Sequence, residues 1–196
     1  MYLIKSIGLK IMVVKVVLLG DGAVGKTALR LRYMGHGFQS SYLSTIGADF
    51  ALRDVKVRHP KTNEEINVRL QIWDLAGQQH YTKIRTNYYI GTHGAFVVFD
   101  VSRRASFDNI TNWISELKKN IGHEIPIVIL ANKIDLRDSP SNASLIHTEE
   151  GERIKSKILS EFEFDVTYIE TSAKTGSGVQ EAFTSLIEKL IVLHSL

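Results

Sequence analysis

Gly20-Asp21-Gly22-Ala23-Val24-Gly25-Lys26-Thr27 follows the apolar run Met12 to Leu19 and leads into Lys26 to Met34, a segment with helical spacing. A strand, a turn of the form G-x-x-x-x-G-K-[ST] and a helix, in that order, decide the reading of the whole chain. Glycines let the backbone wrap closely. The N–H groups of Gly22, Ala23, Val24, Gly25 and Lys26 then point inward and add to the positive end of the helix, a cradle for phosphate oxygens. Lys26 adds a point charge for the outer phosphates, and the Thr27 hydroxyl is a hard-oxygen ligand for Mg²⁺. Composition alone would give this pattern in roughly one chain in a hundred of this length. The loop points to a nucleoside triphosphate without naming the base.

Outward from the loop, short apolar runs alternate with helical segments. Ala48 to Val57 and Asn67 to Asp74 flank Pro60-Lys61-Thr62-Asn63-Glu64-Glu65, a hairpin turn rich in strand breakers. Three strand and helix pairs follow: Gly94 to Val101 with Ser106 to Asn120, Ile125 to Ala131 with Thr148 to Phe162, and Val166 to Glu170 with Val179 to Leu193. The alternation predicts an α/β fold. Its sheet should have six strands, one antiparallel strand supplied by the hairpin, and about five flanking helices. In such sheets a ligand lies beyond the carboxyl ends of the strands.

Two segments at those ends bear on the base. Asn132-Lys133-Ile134-Asp135 follows one apolar run, and Glu170-Thr171-Ser172-Ala173-Lys174 closes another. Guanine presents N1–H and N2–H₂ as adjacent donors, and a carboxylate such as Asp135 accepts both, whereas adenine has nothing equivalent. A site built this way rejects the wrong base because its polar groups are left unpaired. Asn132 can tie this loop to the phosphate loop, and the Lys133 stem can lie over the ring. Alone, Asn-Lys-x-Asp is as readily an ordinary loop or helix start as a base-recognition segment; the ordered set after three strands carries the argument.

Composition removes several other classes. The 196 residues suit one domain with a sizeable core, and 24 Lys and Arg against 21 Asp and Glu leave a net charge of only +3, so nucleic acid is not an expected partner. With no cysteine among these residues, disulfides, thiolate metal sites, prenylation and palmitoylation are not expected, and Tyr2 in place of glycine argues against N-myristoylation. The apolar start is interrupted by Lys5, Lys10 and Lys15, so it is no membrane span. Residues 1–11 read as an N-terminal extension, frayed or packed on the domain, with a weak amphipathic membrane contact as the alternative; the domain proper is 12–196.

With these motifs in place, the chain resembles the small GTPases of the Ras superfamily over Val13 to Leu193. Trp73-Asp74-Leu75-Ala76-Gly77-Gln78, the stretch Tyr42 to Phe50, and Tyr88-Tyr89 with Ser106-Phe107 and Trp113 look Rab-like; the phosphate loop and Asp135-Leu136-Arg137-Asp138 look more Rho-like. The resemblance implies a P-loop G domain that binds GTP and GDP with Mg²⁺ and hydrolyses GTP slowly. It implies nucleotide contacts from Asp21, Gly22, Ala23, Val24, Gly25, Lys26, Thr27 and Ala28, from Phe38 near the guanine, and from Tyr42 over the phosphates. Ala173 would offer its N–H to guanine, with Ser172 and Lys174 supporting that loop. Thr27, Thr45 and Asp74 would hold Mg²⁺, Asp74 through water. Thr45 and the Gly77 N–H would sense the γ-phosphate, and Gln78 would orient the attacking water with Lys26 as the other catalytic group.

Further expectations follow from the same resemblance. Effector, activating and exchange proteins would read Tyr42 to Phe50, Trp73 and Gln79 to Tyr89 as the two switches change with nucleotide. No arginine lies between Gly35 and Thr45, so acceleration is expected from an external activating protein. Leu75 and Gln79-His80 depart from the usual residues of switch II, and His80 reads as a solvated side chain, not a base. The chain stops at His194-Ser195-Leu196 without a lipidation cysteine: either it is a truncated form of a longer protein or, as the favoured expectation, it works unlipidated as a monomer in the cytoplasm, reaching membranes through partners. A GTP-dependent binding module with negligible hydrolysis is the alternative function.

Overall fold

The computed structural model describes residues 3–6, 9–38, 45–137 and 145–194. Strand β2 (Leu9–Leu19) lies at the centre of the sheet, because its β-branched run is buried on both faces. Helix α1 (Lys26–Tyr33) follows the glycine loop, and the hairpin strands β3 (Ala48–Arg58) and β4 (Glu65–Leu75) come next. After the short helix α2 (Thr82–Arg85), strands β5 (Gly94–Asp100), β6 (Ile127–Asn132) and β7 (Val166–Thr171) alternate with helices α3 (Arg104–Asp108), α4 (Ile110–Ile121), α5 (Thr148–Phe162) and α6 (Val179–His194).

The six expected strands run in the order β3-β4-β2-β5-β6-β7, with β3 antiparallel to β4 and every other neighbour parallel. β5 and β6 are buried along their whole length, as strands covered on both faces must be. β3 is the edge: its burial alternates, and Asp54 pairs in register with Arg69 of β4 through two hydrogen bonds of 2.8 and 2.7 Å.

Two details differ from the sequence reading. A short strand β1 (Leu3–Ser6) pairs antiparallel with residues 9–12 of β2, so part of the expected extension adds to the sheet, and β2 begins at Leu9 instead of Met12. The helix expected over Ser106 to Asn120 begins at Arg104 and is split at Asn109, whose side chain turns to the phosphate loop.

Two apolar cores flank the sheet. One joins α1 and α6 to the sheet, with Tyr33 stacked on Phe183 at 3.7 Å and Phe96 4.6 Å from the same ring. The other packs α4 and α5 against the opposite face around Phe99, Trp113 and Ile129. Phe183 is fully enclosed and holds two helices and a strand together, so Phe183→Ala should lower unfolding stability by about 3–5 kcal/mol, read as a reduced midpoint in a urea titration with an unchanged slope.

Candidate functional site

The loop between β2 and α1 is shaped by what surrounds it. Gly25 has φ 99°, and a β-carbon there would collide with the side-chain amide of Asn132, so this position demands glycine twice over. Ala23 also adopts a positive φ, Val24 is buried, and Ala28 packs against the α1 core. Lys26 is buried, and its Nζ donates to the carbonyls of Gly20 at 2.7 Å and Asp21 at 2.8 Å. Burial pushes this amine down to about 8, against the opposing pull of Asp74 and Asp21.

A second layer holds the loop from behind. The Asp21 carboxylate accepts from Asn109 Nδ2 at 2.6 Å and Trp113 Nε1 at 2.8 Å, and Arg103 donates to the Gly22 carbonyl at 2.7 Å. Sequence reading assigned no role to Arg103 or Asn109, and Trp113 entered only as a Rab-like helix residue without a structural role. The spacing of four between Asn109 and Trp113 on one helical face was the available signal, but its partner lies 88 to 92 residues away.

Three oxygen-bearing side chains converge on the outer end of the loop. Thr27 Oγ1 donates to Asp74 Oδ2 at 2.5 Å and lies 3.0 Å from Thr45 Oγ1. Asp74 is fully buried, and its Oδ1 has no hydrogen-bond partner in the protein. Burial raises the pKa of this carboxyl, while the Thr27 hydroxyl, Lys26 and Arg30 act in the other direction. Two hydroxyls and one orphaned carboxylate oxygen fit a hard divalent cation that completes its shell with phosphate and water. Among the described residues no cluster of three His, Cys, Asp or Glu offers a different metal site.

The segment after β4 rests on the loop. A β-carbon at Gly77 would strike the backbone of Asp21 and Gly22. Gln78 Oε1 is buried without a partner, and Gln78, Gly77, Gly22 and Arg103 line a cleft of about 770 Å³ that continues to α4. Beyond it Arg85 is buried. It grips Glu116 through two bonds of 2.7 and 2.8 Å, caps the Ala76 carbonyl at 2.8 Å and lies over the Trp113 ring. Tyr89 also donates to Glu116 at 2.6 Å. This anchor was not read from the sequence. His80 is exposed, as expected.

The other end of the site is held by Asn132. Its Nδ2 donates to Val24 O at 2.8 Å, and its Oδ1 accepts from Ala173 N at 3.2 Å. Asp135 Oδ1 accepts from Ser172 Oγ at 2.5 Å, and Lys174 Nζ lies 3.7 Å from Asp135 Oδ2. Lys133 has φ 70° and pairs with Asp100 at 2.6 Å, a partner that the sequence reading did not name. Phe38 is exposed in the loop after α1. Tyr42 lies outside the described residues. All other residues named from the sequence lie around the phosphate loop and the carboxyl ends of β4, β6 and β7.

A glycine loop at the switch point of a mostly parallel sheet, with a lysine, two threonines and an aspartate beside it, defines a P-loop nucleotide-binding domain. A family model described as Ras family matches residues 15–192, and the chain belongs to that family: it is a small GTPase of the Ras superfamily, Rab-like and GTP-binding. It is 35% identical to the human Ras-related protein Rab-8B over 90% of this chain and 78% of the relative. It is 36% identical to Rab-13 of Rattus norvegicus, over 91% and 80%, and 36% identical to Rab-1 of Theileria annulata, over 90% and 73%. No helix among the described residues is long and apolar enough to cross a membrane.

The depressed Lys26 pKa gives two pH effects of opposite sign. Phosphate binding favours the ammonium form, so GDP affinity of the free protein should be flat below pH 8 and fall above it, by up to about tenfold per unit. The unfolded chain holds the proton up to its ordinary 10.5, so the ligand-free fold should gain stability over the same rise. Equilibrium GDP binding and urea midpoints between pH 7 and 9 check both; profiles that move together contradict the assignment.

Proposed function

We propose that this protein is a Mg²⁺-dependent switch that hydrolyses GTP slowly to GDP and phosphate and is read by effector, activating and exchange proteins. The observation that carries the reading is the convergence of Thr27, Thr45 and Asp74 at one end of the phosphate loop, with an Asp74 oxygen left without a protein partner. Mg²⁺ held there would neutralise charge on the β and γ oxygens. Lys26 would exchange its two carbonyl partners for phosphate oxygens, and the loop N–H groups would stabilise charge that develops as the bond between the γ-phosphorus and the bridging oxygen breaks. Gln78, whose amide oxygen has no protein partner, would accept from the attacking water and align it.

Asp135 is the guanine-selecting group in this reading. The Ser172 hydroxyl and Lys174 ammonium orient its carboxylate, and Asn132 would fix its distance from the phosphates. Thr45 stands four residues before Asp49 on β3, and Ala76 N donates to Gly47 O at 2.9 Å, so contacts at the γ-phosphate would move the two switch segments together. Phe50, Trp73 and Tyr88 form a ring chain with centroids 4.8 and 5.3 Å apart beside them, the surface on which partners would sense the change.

The test is single-turnover cleavage of GTP, with ATP as control, with and without Mg²⁺. Cleavage of GTP alone, dependent on Mg²⁺ and reduced at least about tenfold in Gln78→Leu, is the expected result. Asp135→Asn should weaken GTP binding roughly 100-fold without creating ATP binding. Tight GTP retention without cleavage would instead make the chain a GTP-dependent binding module.

A further inference from the structure

Arg30 stands where a helix that covers a sheet would ordinarily carry an apolar side chain. Asp49 and Asp74 face each other in register across β3 and β4, and like charges in directly opposed positions repel. The Arg30 side chain comes down on them from α1. It pairs with Asp49, and its Nε lies 4.0 Å from Asp74 Oδ2, the same oxygen that accepts from Thr27. Arg30 and Asp74 are buried, Asp49 is half exposed, and Arg30 Nε has no hydrogen-bond partner. The guanidinium is therefore held close to the carboxylate without satisfying it.

Resting on the nucleotide and metal reading above, we propose that Arg30 is a resident counter-charge of the metal end of the site, a positioning residue that sets how much Mg²⁺ the protein needs to retain its nucleotide. With no divalent cation bound, it offsets the repulsion between Asp49 and Asp74 and keeps the strand after Thr45 against β4. With the cation bound, its fixed positive charge opposes the ion across a short, poorly solvated distance. Both effects have one sign: Arg30 weakens apparent Mg²⁺ affinity. Asp49 tempers this, because its exposed carboxylate draws the guanidinium away from Asp74.

The test uses the full chain loaded with fluorescently labelled GDP. Nucleotide release is followed across a series of Mg²⁺ buffers for the native protein, Arg30→Met, Arg30→Lys and Asp49→Asn, with thermal unfolding measured alongside. Removing the charge in Arg30→Met should lower the half-saturating Mg²⁺ concentration about tenfold. Arg30→Lys should stay near the native value, and Asp49→Asn, which releases the guanidinium toward Asp74, should raise it. Asp49 is largely exposed, so that variant keeps the proposal testable if Arg30→Met does not fold. A purely structural arginine would move unfolding temperatures and leave every Mg²⁺ midpoint at the native value, which overturns the proposal alone. Native protein that retains GDP equally with and without Mg²⁺ overturns the metal reading and Arg30's role with it.

Discussion

Asn132 is the side chain on which the site depends. It is buried at the end of β6, yet its amide reaches two other loops: Nδ2 to the carbonyl of Val24, and Oδ1 from the N–H of Ala173. A buried amide that lost these bonds would cost roughly 1–3 kcal/mol for each group left unpaired, so the three loops are held at fixed separation by the penalty for parting them. Gly25 belongs to the same constraint, since any β-carbon there would push the amide out. The distance between a phosphate cradle and Asp135 is thus set inside the protein.

The opposite end of the site is built differently. Around Asp135 the polar groups have partners: Ser172, Lys174 and the bond network of Asn132. Around Asp74 several do not. Asp74 Oδ1, Gln78 Oε1 and Arg30 Nε are buried without partners, and Lys26 is held only by carbonyls of its own loop. Groups in that condition gain most from a ligand that supplies phosphate oxygens and a cation. On the proposed reading, one end would recognise a base without rearranging, while the other would respond to what the phosphates carry.

Legibility in the sequence follows the range of the interactions. The strands, the glycine loop and α5 (Thr148–Phe162) were readable because periodicity and turn chemistry act within a few residues. Asn132 and Asp135 stood out because they follow the apolar run of a strand, whereas a role for Ala173 came only through the family resemblance. The support beneath the loop was not: Arg103 reaches Gly22 across 81 residues and Trp113 reaches Asp21 across 92, and nothing local at either end marks the partner. Arg85 lies inside Gln79 to Tyr89, the stretch expected to face partners, yet it is buried against Glu116 and Trp113. The β1 strand escaped notice because lysines interrupt a short segment whose pairing depends on a free edge of β2. That edge lies on the side β5 uses further along: residues 11 and 12 already pair β4 on the other side.

Rigidity and response are divided along the sheet by the same logic. Asn132 and the Asp21 contacts clamp the loop to β6 and α4, elements joined to the core by fully buried strands. The segments that carry Thr45 and Gln78 are joined to each other by the Ala76 to Gly47 hydrogen bond, and each has an arginine anchor, Arg30 to Asp49 on one side and Arg85 to Glu116 on the other. Each anchor is a guanidinium on a carboxylate at the edge of the core, an arrangement that fixes a pivot and leaves the chain beyond it free to follow the ligand. On the proposed switch reading, a change confined to the outer phosphate would reach the Phe50, Trp73 and Tyr88 surface through these two anchored segments, while the base end stays still.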